Sequence, residues 1–288
     1  MKNKRIIEIL IVILVIVVTG AGILSWNTEN TFYTFNQYGE EILMWGYGVY
    51  ARDSYMKAPL FIGTDICVLV ALVPMLLHAI IKGKNDESDV HKLKMMSLFG
   101  TLTYYTMSLV FGVSYNRLIL LYIILFGTSL FMTFYYAIQI KIKSVELTLG
   151  MKWFLTLSGV ALFVAWLPDI ILTIIKGTSL SLIEVYTTEI TYALDMGIIC
   201  PMCFLTMYLL KRKNAIGTLL LSFLFQICSV VGIMMISQTA CHILAGIELT
   251  IPIIITKSGT FLLLGGFAFY FQRKIFKELN SANSDIMI

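Results

Sequence analysis

Charge is scarce in this sequence: only 13% of its 288 residues are Asp, Glu, Lys or Arg, about half the share of an ordinary soluble domain. No stretch is polar enough for a separate soluble domain, and no cluster of basic residues makes a nucleic-acid face. Histidine is rarer still. His78, His91 and His242 stand far apart, which excludes a histidine metal site and the HExxH spacing of membrane metalloproteases. Glycine patterns for nucleotide phosphates are missing, and no nucleophile set can be assembled, so no enzyme activity and no cofactor are expected. The five cysteines, Cys67, Cys200, Cys203, Cys228 and Cys241, lie in or at the ends of apolar segments and do not form a secreted-type disulfide framework.

What the chain has instead is hydrophobicity: 58% apolar residues and a mean hydropathy of +0.86. A helix needs about 20 apolar residues to cross the hydrocarbon core. Eight such runs are present: Ile6 to Trp26, Leu60 to Ile81, Met95 to Val113, Leu118 to Ile138, Trp153 to Ile175, Thr188 to Leu210, Ile216 to Ala240 and Ile251 to Gln272. The expected fold is therefore all-α, a polytopic bundle of eight transmembrane helices embedded in a lipid bilayer, with 1–288 a single membrane domain.

Sixteen of the 21 lysines and arginines fall in MKNKR, KGKNDESDVHKLK, KIKSVELTLGMK, KRKNA and RKIFKEL, leaving Arg52, Lys57, Arg117, Lys176 and Lys257 elsewhere. That bias puts both termini inside, with residues 273–288 a short cytoplasmic tail. A basic start before an apolar run also fits a signal peptide, but the run is of full spanning length, which favours an uncleaved first helix. Asn27 to Pro59 is the one long outer segment, rich in Phe, Tyr and Trp, and is expected to lie at the headgroup level as a partly helical cap.

The halves echo one another. TDICVLVALVP and LDMGIICP each carry an aspartate followed by a proline, and GTSLFMTFYYAIQIKI resembles GTFLLLGGFAFYFQRKI. Four helices per half would make a parallel 4+4 repeat of the kind known in transporters, with chance similarity between apolar helices as the rival.

Counting from the inner basic residues at 1.5 Å per residue puts Asp65, Asp169, Asp195 and Lys257 at one height, roughly 24 to 26 Å above the inner boundary. Asn116 and Arg117 would cap the neighbouring helices from outside. A charge at that depth normally faces the bundle interior, a partner or a wet cavity. Three readings stay open: the aspartates reach headgroup water, they form a structural salt bridge with Lys257, or they line an outward-facing pocket shared by Asp65, Asp195 and Lys257. Asp169 belongs to that pocket less securely because Pro168 beside it marks a bend. In the third reading a proton, a small cation or a cationic solute balances the charge. Cys200-Pro-Met-Cys203 invites a redox reading, but its depth favours simple helix packing. A retinal Schiff base on Lys257 conflicts with the lysine's nearness to the surface.

The segments GYGVYARDSYMKAPLFIGTDICVLVALVPML, YYTMSLVFGVSYNRLILLYIILFGTSLF and EVYTTEITYALDMGIICPMCFLTMYLLKRKNAIG resemble those of a family of bacterial polytopic membrane proteins with no assigned activity. The resemblance spans most of the chain after the first helix and picks out Asp65, Asn116 and Asp195. It implies a multi-pass protein of the bacterial plasma membrane and brings no substrate with it. The leading expectation is a small transporter or ligand-binding protein with an outward-facing acidic site. The alternative is a non-catalytic component that works through helix contacts with partner proteins.

Overall fold

A computed structural model describes residues 2–84 and 86–284; the side chains at positions 2, 3, 181, 253, 256, 257 and 282–284 lie outside the described set. Among the described residues there are eight long helices: α1 Lys2–Ile23, α2 Ala58–Lys82, α3 Asp89–Gly112, α4 Ile119–Ala137, α5 Leu149–Lys176, α6 Ile190–Lys211, α7 Ala215–Leu244, and α8, which runs through Ile251–Ile254, Ile255–Gly259 and Thr260–Ser284. The all-α expectation holds in the helices. Several starts are written in the sequence: Ser88, Thr148 and Asn214 each accept a backbone N–H from the first turn of α3, α5 and α7.

Six of the eight, α1, α2, α4, α5, α6 and α7, are long and apolar enough to cross a membrane. Their outward faces carry Ile, Leu, Val and Phe side chains, such as Leu10, Ile13, Val70, Phe131, Val164 and Ile236, that only lipid or another apolar surface would accept. The chain is a membrane-embedded protein. Of the two remaining helices, α8 includes residues outside the described set, and α3 falls short by composition. For α3 the reason is visible: it is buried along its length, so it contacts protein and tolerates a ladder of hydroxyls. Ser97, Thr101 and Thr103 bond back to carbonyls one turn earlier, and Ser97, Thr103 and Thr106 also meet Ser222, Thr133 and Ser129 of neighbouring helices.

Two apolar cores divide the chain near its middle. One joins α1 to α4, with Val15, Val68, Leu98, Leu102, Leu125 and Met132, and takes in Val230 and Met234 of α7. The other joins α5 to α8, with Leu155, Cys203, Leu224, Phe225 and Ala268. Where helices cross most closely the contact residues are glycines. A Cβ on Gly63 of α2 would stand 2.6 Å from the Cα of Gln238, and one on Gly265 of α8 would stand 3.0 Å from the Cα of Gly232 on α7.

Three helices contain a π turn: Val68–Leu72 in α2, Asp195–Ile199 in α6 and Ile255–Gly259 in α8. The first two end two residues before Pro74 and Pro201. Proline lacks an N–H and its ring crowds the carbonyl four residues back, and a wider turn relieves both problems without ending the helix. In α5, by contrast, Pro168 lies within a helix that runs without interruption from Leu149 to Lys176.

The segment 27–57, expected to be an outer cap and here termed the strap, corrects one expectation. It is not a partly helical cap: Phe32–Phe35 (β1) and Glu41–Met44 (β2) pair antiparallel as a hairpin, followed by a short 3-10 turn at Gly48–Tyr50. Phe-Tyr-Thr-Phe favours an extended chain, Asn36 accepts the N–H groups of Tyr38 and Glu40, and Gly39 takes the positive φ of +80° that closes the turn. The strap packs over one end of the bundle through Trp45 and Tyr50, which form a third cluster with Ala58, Ile62, Cys241 and Ala245. The Trp45 indole donates to the Ser25 carbonyl at 2.7 Å.

Candidate functional site

Asp65 lies in α2 just before the π turn and is fully buried. Its two oxygens take one phenol each: Tyr50, from the strap, donates to Oδ2 at 2.6 Å, and Tyr105, from α3, donates to Oδ1 at 2.5 Å. Gly22 of α1 backs the carboxylate so closely that any Cβ there would sit 1.7 Å from Oδ2. Four segments therefore close around one charge.

Asp195 opens the π turn of α6 and is nearly buried, 8% exposed. Tyr104 of α3 donates to Oδ1 at 2.9 Å and the Trp166 indole of α5 donates to Oδ2 at 3.1 Å. Trp166 stacks on Tyr192 with ring centroids 4.8 Å apart, and Tyr192 donates in turn to Asp169 at 3.3 Å. Helices α5 and α6 thus exchange aromatic donors, each holding an aspartate of the other. The common pocket expected from depth resolves into two sites, because the donors to Asp65 and Asp195 are consecutive residues that leave α3 about 100° apart.

The other expected site residues are placed as follows. Asp169 is exposed on α5. Asn116 accepts the Leu118 N–H at 2.9 Å in the turn that leads into α4, and its amide lies 3.4 Å from the Tyr122 hydroxyl. Arg117 is exposed and pairs with no carboxylate among the described residues. Lys257 falls in the π turn of α8, and its side chain lies outside the described set. The Cys200 and Cys203 thiols are buried and unpaired, and Cys203 packs against Gly159 of α5.

Residue-by-residue reading missed the donors and two further acids. Tyrosines in an apolar run look like packing, and nothing in the spacing of Tyr104 and Tyr105 announces a pair of hydrogen bonds. Glu8 of α1, 2% exposed, accepts the Tyr136 hydroxyl of α4, with Lys4 over the same ring at 5.4 Å. A lone charge inside IIEILIVIL was the available signal.

Asp53, in the strap, is also completely buried. Its Oδ1 accepts the Ser114 N–H at 2.8 Å and the Tyr186 hydroxyl at 2.9 Å, while Oδ2 has no partner among the described residues. Burial pushes its carboxyl up to about 7, against the smaller opposing pull of those hydrogen bonds and of Lys57. Glu184 is raised too, again by burial. Two surface depressions, one at Lys4, Asp86, His91 and Lys92 and one along α5 at Phe163, Pro168 and Leu172, reach none of these aspartates.

No protein-family model, curated protein or solved structure matches the chain.

The site chemistry therefore has to be read from the geometry. Phenol and indole donors stabilise a carboxylate but carry no charge, and among the described side chains no lysine, arginine or histidine contacts Asp65 or Asp195. Buried carboxylates without a basic partner bind a proton or a cation more readily than anything else.

Proposed function

We propose that this is a small transporter or ligand-binding protein of the bacterial plasma membrane that works by taking up a proton or small cation, or a cationic solute, at Asp65 and Asp195. The observation that carries the reading is the pair of membrane-depth carboxylates, each held by two neutral aromatic donors on either side of α3. An ion pair built only for packing would bring a lysine or arginine to each of them. In this reading α3 and α8 cross with the six apolar helices, the basic ends face the cytoplasm and the strap faces outward. A 4+4 repeat is supported by the division of the cores and by the π turn ahead of a proline in both α2 and α6. The protein then acts without covalent chemistry or a cofactor.

The test is thermal unfolding of the purified protein across pH and across sodium, potassium and choline series. A ligand that binds only the folded state at a hundred times its Kd stabilises by about 2.7 kcal/mol. Stabilisation that depends on pH or cation should appear in the wild type and diminish in both Asp65→Asn and Asp195→Asn. Identical responses in all three proteins would sink the proposal.

One observation favours a second reading, that of a component acting through partner helices. Buried residues of α5 stop at Gly159, so the remaining seventeen residues to Lys176 present Phe163, Val164, Leu172 and Ile175 outward. If a partner helix covers this stretch, replacing Val164 and Leu172 by tryptophan should abolish co-purification of that partner while leaving the melting temperature of the isolated chain unchanged; retention of the partner would exclude this face.

A further inference from the structure

The strap reaches across the end of the bundle and is fastened to the loop that precedes α6. At the hairpin tip the Asn36 amide donates to the Glu184 carbonyl at 3.0 Å and the Gln37 amide to the Tyr186 carbonyl at 3.1 Å. Farther along, Ser54 bonds the Glu184 carboxylate, the Tyr186 hydroxyl sits between Asp53 and the Ser54 N–H, and Lys57 pairs with Glu189 while lying 4.3 Å over the Tyr186 ring. Glu184 is held at a φ of +48°, a conformation that costs a non-glycine residue free energy and persists only while its surroundings enforce it. The same strap delivers Tyr50 to Asp65. Lifting the strap would remove one of the two donors from Asp65 and open its carboxylate to the outer medium.

Within this fastening one atom is out of place for a static contact: Oδ2 of Asp53, buried and unpartnered among the described residues. A carboxylate leaves that oxygen charged and unsolvated, whereas a carboxylic acid places a proton on it and removes the penalty. We propose that the strap is a lid over Asp65 and that a proton on Asp53 holds it shut. The inference rests on the proposed function only for what the lid admits, since the lid itself is built from contacts that do not involve Asp195 or any cargo.

The groups facing Asp53 from each side are Tyr186, Glu184 and Glu189 on the loop before α6, Lys57 at the start of α2, and Tyr122 on α4, whose ring lies within electrostatic reach of both Asp53 and Asp65. Arg52, Tyr115 and Arg117 nearby are exposed to solvent. The sign follows from linkage. With the closed-state carboxyl at about 7 against a usual value of 3.8, the closed form holds a proton that the opened form releases throughout that interval. Closure is therefore complete on the acid side, weakens as pH rises through neutrality and changes little above it. Burial raises Glu184 in the same direction, so the two acids act together.

Hydrogen–deuterium exchange on the full-length protein in lipid nanodiscs tests this, with exchange of peptides from residues 27–57 normalised to an unstructured standard in the same buffer. From pH 5 to pH 8 the normalised exchange of the strap should rise by about tenfold or more in the wild type. Asp53→Asn, a neutral side chain of the same shape, should keep it slow at both values. A strap whose normalised exchange is equal at the two pH values, or a full pH response surviving in Asp53→Asn, would overturn the lid. Should Asp53→Asn not fold, the wild-type comparison still decides, and Glu184→Gln should show a reduced response. Asp65→Asn separates the two proposals: its strap keeps the pH response whether or not Asp65 binds an ion, while its melting curve reports on ion binding alone.

Discussion

Gly22→Ala should destabilise the protein by about 3 kcal/mol, an effect far out of proportion to one methyl group. The new Cβ would lie 1.7 Å from Oδ2 of Asp65 and 3.1 Å from the Tyr50 hydroxyl. Asp65 cannot turn away, because both of its oxygens are engaged and no part of it reaches solvent. Either α1 moves outward, opening the core at Val15 and Val18, or the carboxylate loses a donor. Gly20→Ala, two residues earlier on the same helix, meets nothing within 4 Å and should be close to neutral. Melting temperatures of the two variants in mild detergent check the contrast. A double variant that shortens Asp65 to serine in the Gly22→Ala background should recover at least about 1 kcal/mol through the cycle, since the two residues are in direct contact. Equal melting of Gly20→Ala and Gly22→Ala would show that α1 does not back the aspartate.

Tyr105→Phe should be the second most damaging substitution, at about 2 to 3 kcal/mol, and should exceed Tyr104→Phe. Removing one partner from a buried charged acceptor exposes the full desolvation cost of the oxygen left behind. Asp65 has no access to water and its bond from Tyr105 is short, 2.5 Å, so nothing replaces the lost phenol. Asp195 keeps the Trp166 indole, retains some exposure and loses a longer bond of 2.9 Å, which puts Tyr104→Phe near about 1 kcal/mol. Two neighbouring, chemically identical changes on one helix thus have unequal expected effects, and chemical denaturation of the two variants decides it. The reverse order would mean that Asp65 is not the tighter of the two sites.

These contrasts also show what a linear reading of the chain can reach. Hydrophobic run length located each of the eight helices, because the cost of burying an unsatisfied backbone in lipid leaves few alternatives to a helix of spanning length, but it missed the polar extensions: α3 begins at Asp89 rather than Met95, and α8 continues past Gln272 to Ser284. Asp65 and Asp195 stood out for the same reason, a charge being conspicuous in apolar surroundings. Their partners did not stand out. Tyr50, Tyr104, Tyr105 and Trp166 are amphipathic rings whose apolar bodies hide the hydroxyl or N–H at the tip, and each contact links residues 15 to 91 positions apart. Depth alone suggested one shared pocket, and only the azimuth of α3 separates it into two. The hairpin went unread because aromatic content pointed to the membrane interface before the alternation in FYTF and the turn residues Asn36 to Gly39 were weighed as a strand pair. Asp53 was overlooked because it sits in a loop, where an acid is ordinarily solvated.

The donor geometry has one more consequence, for the order in which the protein is made. A ribosome delivers the chain from its N-terminus, and Asp195 emerges after both Tyr104 and Trp166, so its hydrogen-bond partners are already part of the nascent chain when it arrives. Asp65 follows Gly22 and Tyr50 but precedes Tyr105 by forty residues. During the synthesis of those residues its Oδ1 lacks the donor that the folded protein gives it. Of the two carboxylates only Asp65 therefore depends on a helix made after it, and its site stays incomplete until α3 has been synthesised.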